Sequence, residues 1–134
     1  KKQPISEIKK KRKGLWGAYS IKIVALNRDR KELYKRVNER VDEMFAAGLV
    51  EEMKKISRMT LSKTAQGMIG LKEVRGFLRG EYDLECAKYL LKRNTRHFAK
   101  RQLTWFRKDK RLQWITIKPG DTLENILKKV CSRL

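Results

Sequence analysis

The sequence predicts an α/β fold, mostly helical, with two strands that belong to a parallel sheet. Three observations carry this. Residues 19–26 (YSIKIVAL) and 112–117 (LQWITI) are β-branched and aromatic without a breaker. Between them lie long stretches with apolar residues at three- and four-residue steps, the helical period. The apolar run Ile23-Val-Ala-Leu26 suggests a strand buried on both faces, as parallel strands are. A length of 134 residues suits one domain, and a 40% hydrophobic fraction supplies a core.

The elements follow in order. Residues 1–13 hold seven Lys/Arg against one acid, Glu7, and read as a solvated basic lead-in to about residue 18. Gly14 to Gly17 reads as a loop before the first strand. Asn27-Arg-Asp29 turns the chain, and Asn27 or Asp29 caps a helix over 30–47. Its stripe is Leu33, Val37, Val41, Met44 and Phe45, and Gly48 ends it. A short helix over 49–56 turns Leu49, Val50, Met53 and Ile56 inward. Residues 57–67 are a polar connection. Residues 68–78 can be helical, interrupted at the start by Gly70. Asp83 caps the longest helix, 84–106, with Ala87, Leu90, Leu91, Phe98, Leu103 and Phe106 on its apolar face. Pro119-Gly120 follows the second strand, and Asp121 or Thr122 caps a last helix to about Cys131.

The charge excludes more than it names. Lys+Arg number 35 and Asp+Glu 15, so 35 − 15 gives +20. Such self-repulsion opposes compaction, and a polyanion relieves it. Nucleic acid is therefore the first partner to consider and an anionic membrane surface the second. No apolar run reaches the ~20 residues of a membrane span. No apolar segment follows Lys1-Lys-Gln-Pro4, so no signal peptide is expected. One histidine, His97, and two distant cysteines, Cys86 and Cys131, make no zinc pattern and suggest a reduced, cytoplasmic setting.

The chemistry concentrates in two segments. Residues 88–111 carry ten Lys/Arg against one acid, Asp109. On a helix, Arg93, His97 and Arg101 stack at four-residue steps, as do Arg96, Lys100 and Thr104. The row ends in Gln102, Thr104 and Trp105, groups that can bond or stack on a base while Arg and Lys hold phosphates. The competing view is a solvated helix with Trp105 in the core. The second segment, Gly67-Met-Ile-Gly70-Leu-Lys72, allows tight backbone but is no phosphate loop of the G-x-x-x-x-G-K-[ST] kind. Ser62-Lys-Thr64 lacks the glycines too, and Asp42-Glu43 and Glu51-Glu52 read as solvent-facing acids.

Residues 99–107 (AKRQLTWFR), preceded by Lys92-Arg-Asn-Thr-Arg96, resemble the signature of the tRNA dimethylallyltransferases, or isopentenyltransferases. Ile69-Gly-Leu-Lys-Glu73 resembles their I-G-Y-K-E, with Leu71 in place of the tyrosine. The passages 26–30 and 33–42, residues 47–52 (AGLVEE) and Lys2-Gln-Pro-Ile-Ser6 resemble further family segments. The resemblance implies a prenyl transfer from dimethylallyl diphosphate to N6 of adenine 37, beside the anticodon of a tRNA, assisted by Mg2+. It implies tRNA-contacting segments at Gly67, Met68, Ile69, Gly70, Leu71 and Lys72, and at Lys100, Arg101, Gln102, Leu103, Thr104, Trp105, Phe106 and Arg107. It places Arg40 on the pyrophosphate side. The family's phosphate loop, general base and magnesium ligands have no counterpart here. The resemblance therefore implies a C-terminal half of a P-loop-NTPase-like body. Residues 1–18 would end its inserted helical region, and 19–134 would form core and tRNA-binding helices. Such a half is expected to be inactive alone, to need the N-terminal half and the tRNA anticodon stem-loop as partners, to use no membrane, and to act as a monomer. The alternative is a free-standing basic RNA-binding module without catalysis.

Overall fold

The computed structural model describes residues 18–134, and the expected basic lead-in falls outside these except for its last residue. Its elements are β1 (Ile23–Arg28), α1 (Arg30–Ala46), α2 (Leu49–Ser57), α3 (Lys63–Gln66), α4 (Leu71–Leu78), α5 (Leu84–Phe106), β2 (Leu112–Ile117) and α6 (Leu123–Cys131). The strands pair in parallel, Ile23 opposite Leu112 through Arg28 opposite Ile117. Helices α1 to α5 form the crossover between them.

Most elements stand where the periodicity puts them, and the differences have local causes. The first strand lies over Ile23–Arg28, not residues 19–26, because its length is set by the six residues of its partner. Asn27 thereby becomes a strand residue, and Asp29 caps α1 by accepting from the N–H groups of Lys31 and Glu32. Those bonds lower the Asp29 pKa. Burial on both faces is not observed: Leu26 is 48% exposed. Among the described residues the sheet has two strands, and the apolar groove beside them is open. The connection at 57–67 contains one helical turn, α3, which Ser62 caps through Ala65 N–H. Of the two caps offered for the last helix, Thr122 is the one used.

The core is where four helices meet. Val41 of α1, Leu49 and Met53 of α2, Leu71 and Val74 of α4 and Leu91 of α5 form one buried cluster. Met44, Phe45, Val50, Ile56, Leu61 and Leu78 pack around it. On α5 only Ala87 and Leu91 are buried. Phe98 and Phe106 of its expected apolar face are exposed.

One buried acid links these helices. Glu73, 5% exposed, accepts from the Gly70 N–H at 2.8 Å through Oε2 and from the Asn94 amide at 2.6 Å through Oε1. The first bond caps α4 from its own third residue. Gly70 sits at φ +100°, a region that favours glycine. The second bond crosses to α5. Behind it, the Tyr82 hydroxyl donates to the Glu73 carbonyl at 2.8 Å.

Tyr82 explains Gly76. A Cβ on Gly76 would lie 2.2 Å from the Tyr82 hydroxyl oxygen. Alanine in a helix interior normally stabilises by about 0.5–1 kcal/mol over glycine. Here Gly76→Ala is expected to reverse that sign, destabilising by about 1–3 kcal/mol through overpacking. Urea unfolding checks it, with Tyr82→Ala in the same background restoring the helical gain.

Candidate nucleic-acid interface

Helix α5 distributes its cations between two jobs. Lys92 pairs with Asp42 of α1 at 2.6 Å. Arg96 donates to Asn38 Oδ1 at 2.7 Å, with its guanidinium 6.0 Å from the centroid of the Tyr34 ring. Lys88 pairs with Glu85 at 2.7 Å and lies 5.9 Å from the Phe45 centroid. The Glu85 bond raises the Lys88 pKa. These three hold the fold, so Arg96 leaves the row predicted from spacing. Asp109, the single acid of the segment, is taken by Arg111 at 2.7 Å, and that guanidinium holds its pKa down at about 2. The carboxyl therefore stays ionised at neutral pH, and the stability it adds is lost progressively as pH falls from 3.8, its ordinary value, through about 2.

The other face is open. Arg93, His97, Lys100, Arg101, Thr104, Trp105 and Lys108 are exposed. Trp105 is 69% exposed, which excludes a core role. Its ring stands edge-on to Phe106, centroids 4.9 Å apart at 81°. One hollow of 430 Å³ runs between His97, Lys100, Arg101, Thr104, Trp105 and Lys108. A second, of 220 Å³, is lined by Gly67, Met68, Ile69, Lys72, Asn94, His97 and Arg101, with Gln66 and Glu73. His97 and Arg101 belong to both. The two segments singled out in the sequence thus form one surface, brought together by the Glu73–Asn94 bond.

Not every residue of those segments reaches it. Leu71 is fully buried and Gly70 nearly so. Their side of the turn faces the core, so the Leu71 side chain is not presented on this surface. Gln102, Leu103 and Phe106 point instead to a 590 Å³ groove against β1 and β2, with Leu26, Leu33 and Trp114. Arg107, with Lys100 and Thr104, borders a 350 Å³ hollow at the end of β1. The Thr104 hydroxyl is spent on the Lys100 carbonyl, at 2.9 Å. Arg40 lies in a separate hollow on α1 with Arg36, Glu39 and Glu43. Spacing did not single out Asn94 and Gln66. The i, i+3, i+7 step from Asn94 to His97 and Arg101 was the available signal for Asn94; Gln66 had none.

Among the described residues no group of three or more His, Cys, Asp or Glu side chains is placed to hold a metal ion. Nor is any described helix long and apolar enough to cross a membrane.

The IPP transferase family model matches residues 1–109. The chain belongs to the IPP transferase family. It is 52% identical over 100 residues to a tRNA dimethylallyltransferase of Halothermothrix orenii, covering 73% of this chain and 30% of that protein. Against the Thermotoga maritima tRNA dimethylallyltransferase it is 43% identical over 130 residues, or 94% of this chain and 42% of that one. The crystal structure of the full-length tRNA isopentenylpyrophosphate transferase of Bacillus halodurans superposes with a TM-score of 0.76 at 35% identity, over 96% of this chain and 43% of that one. The chain thus spans less than half the length of these relatives.

The division of cations on α5 has a direct consequence. Arg96→Ala removes a half-buried charged hydrogen bond and is expected to cost about 1–2 kcal/mol. Arg101→Ala, which removes no bond within the described residues, is expected to stay within about 0.5 kcal/mol of the parent. Denaturant unfolding of the two variants checks the contrast.

Proposed function

We propose that this chain is the RNA-holding part of a tRNA dimethylallyltransferase. The substrate is the anticodon stem-loop of a tRNA, and the whole enzyme transfers a dimethylallyl group from dimethylallyl diphosphate to N6 of adenine 37. One observation carries the assignment: the exposed Trp105 lies in a continuous surface with Lys72, His97, Lys100, Arg101 and Lys108. The four Lys and Arg side chains have no protein partner among the described residues. Cations beside an exposed indole suit single-stranded RNA, where phosphates need neutralising and splayed bases need a stacking plane. A duplex would use the cations and leave the ring idle.

The family relation supplies the reaction class. The adenine amine forms a bond to the allylic carbon and gives up one proton, the carbon–oxygen bond to the diphosphate breaks, and pyrophosphate leaves with that electron pair. Turning the base out of the loop precedes such chemistry. The sequence carries no G-x-x-x-x-G-K-[ST] phosphate loop, and we assign the described residues to holding the RNA and to part of the core. Arg40 remains the candidate for the pyrophosphate side. The open groove against β1 and β2 is where the remainder of a P-loop-NTPase-like parallel sheet would continue.

Two outcomes follow. The purified chain, given tRNA and dimethylallyl diphosphate, should release no pyrophosphate and prenylate nothing; turnover would contradict the assignment. Arg101→Ala should weaken binding of an anticodon stem-loop and reduce the log–log salt slope by about 0.7, the value of one single-strand phosphate contact. A free-standing RNA-binding module would share the second outcome, so the parent enzyme is the discriminating context. There the same substitution should raise KM for tRNA.

A further inference from the structure

The two hollows that meet at His97 and Arg101 differ in what they offer. The larger presents the open Trp105 ring among Lys100, Arg101 and Lys108. The smaller presents apolar, exposed Met68 and Ile69 on one wall, Lys72 at its side and Asn94 at its back. A 220 Å³ hollow is of the size of one base rather than a helix groove.

Asn94 is the polar group of this second hollow. Its amide nitrogen donates to Glu73 Oε1 at 2.6 Å. A side-chain amide has one accepting and one donating end. Glu73 offers only acceptors in this geometry, its other oxygen being held by the Gly70 N–H. The donating end must therefore face Glu73, and the orientation of the amide is set. Its Oδ1 has no partner among the described residues and is not enclosed, since the one buried side-chain oxygen without a partner is on Glu32. An amide fixed in this way can meet the donor on a base edge.

We infer that the smaller hollow is a second nucleotide subsite: an unstacked base lies against Met68 and Ile69 with its edge on Asn94, while a neighbouring nucleotide stacks on Trp105. Arg101 and His97, standing between them, would carry the phosphate that joins the two. Glu73 acts as the positioning residue for Asn94. This rests on the RNA-holding role proposed above and adds the number of loop nucleotides held and the group that reads the second one.

The test uses an anticodon stem-loop carrying 2-aminopurine at one loop position at a time, titrated with the chain and with its variants. Two adjacent positions should respond on binding: the base against Met68 and Ile69 brightens as it leaves the loop stack, and its neighbour dims as the Trp105 indole quenches it. Trp105→Ala should abolish the signal change at one of them. Asn94→Ala and Lys72→Ala should each diminish it at the other and weaken affinity about tenfold, a typical effect of losing one edge contact or one neutralised phosphate. Lys72 is exposed and outside the Glu73 clasp, so its variant stays informative if Asn94→Ala destabilises the fold. A response at a single position, or two positions that respond equally to all three variants, would overturn the second subsite while leaving RNA binding in place. Absence of any binding by the parent chain would remove both proposals together.

Discussion

The Glu73 carboxyl is the point on which the arrangement turns. It is the one charged side chain buried among the described residues, and both of its oxygens are used. One closes the first turn of α4, where Gly70 has no side chain with which to cap. The other reaches the middle of α5. An unpaired buried carboxyl is costly, so these bonds are needed as a set. The consequence is geometric: the Gly67–Lys72 turn is pinned beside His97 and Arg101. Without this tie, the two segments would be separate pieces of basic surface.

The charge of +20 takes on a definite form in this frame. Cations of α5 that face α1 are neutralised by Asp42 or bonded to Asn38. Those that face away keep no partner among the described residues. Self-repulsion along the open face works against stability and in favour of a polyanion. A surface in which packing and binding compete for the same residue type is thus sorted by helix face.

Much of the fold was legible. Asp83, the 84–106 helix and the 112–117 strand follow from a capping residue, an unbroken 3.6-residue period and alternation. The start of β1 did not follow, because strand length is a property of the pair and the partner lies 89 residues later in sequence (Ile23 and Leu112). Burial on both faces of β1 was inferred from its apolar run, and the exposed Leu26 shows that composition alone does not state what covers a strand. In the candidate site, spacing put His97 and Arg101 on one open face, and both are exposed there. It placed Arg96 wrongly, because a row of cations four apart does not reveal which of them a neighbouring helix will claim. Asn94 stayed hidden for a related reason: its role depends on Glu73, 21 residues away.

The central claim is that single-stranded RNA lies across the 67–72 turn and the 97–108 face. Ultraviolet cross-linking of an anticodon stem-loop to the protein, followed by mass spectrometry of the captured peptides, tests it most directly. The account predicts cross-links on Trp105 and on Met68 or Ile69, with the outer face of α1 around Arg36 and Arg40 unmarked. Cross-links confined to that outer face of α1, with Trp105 untouched, would contradict it.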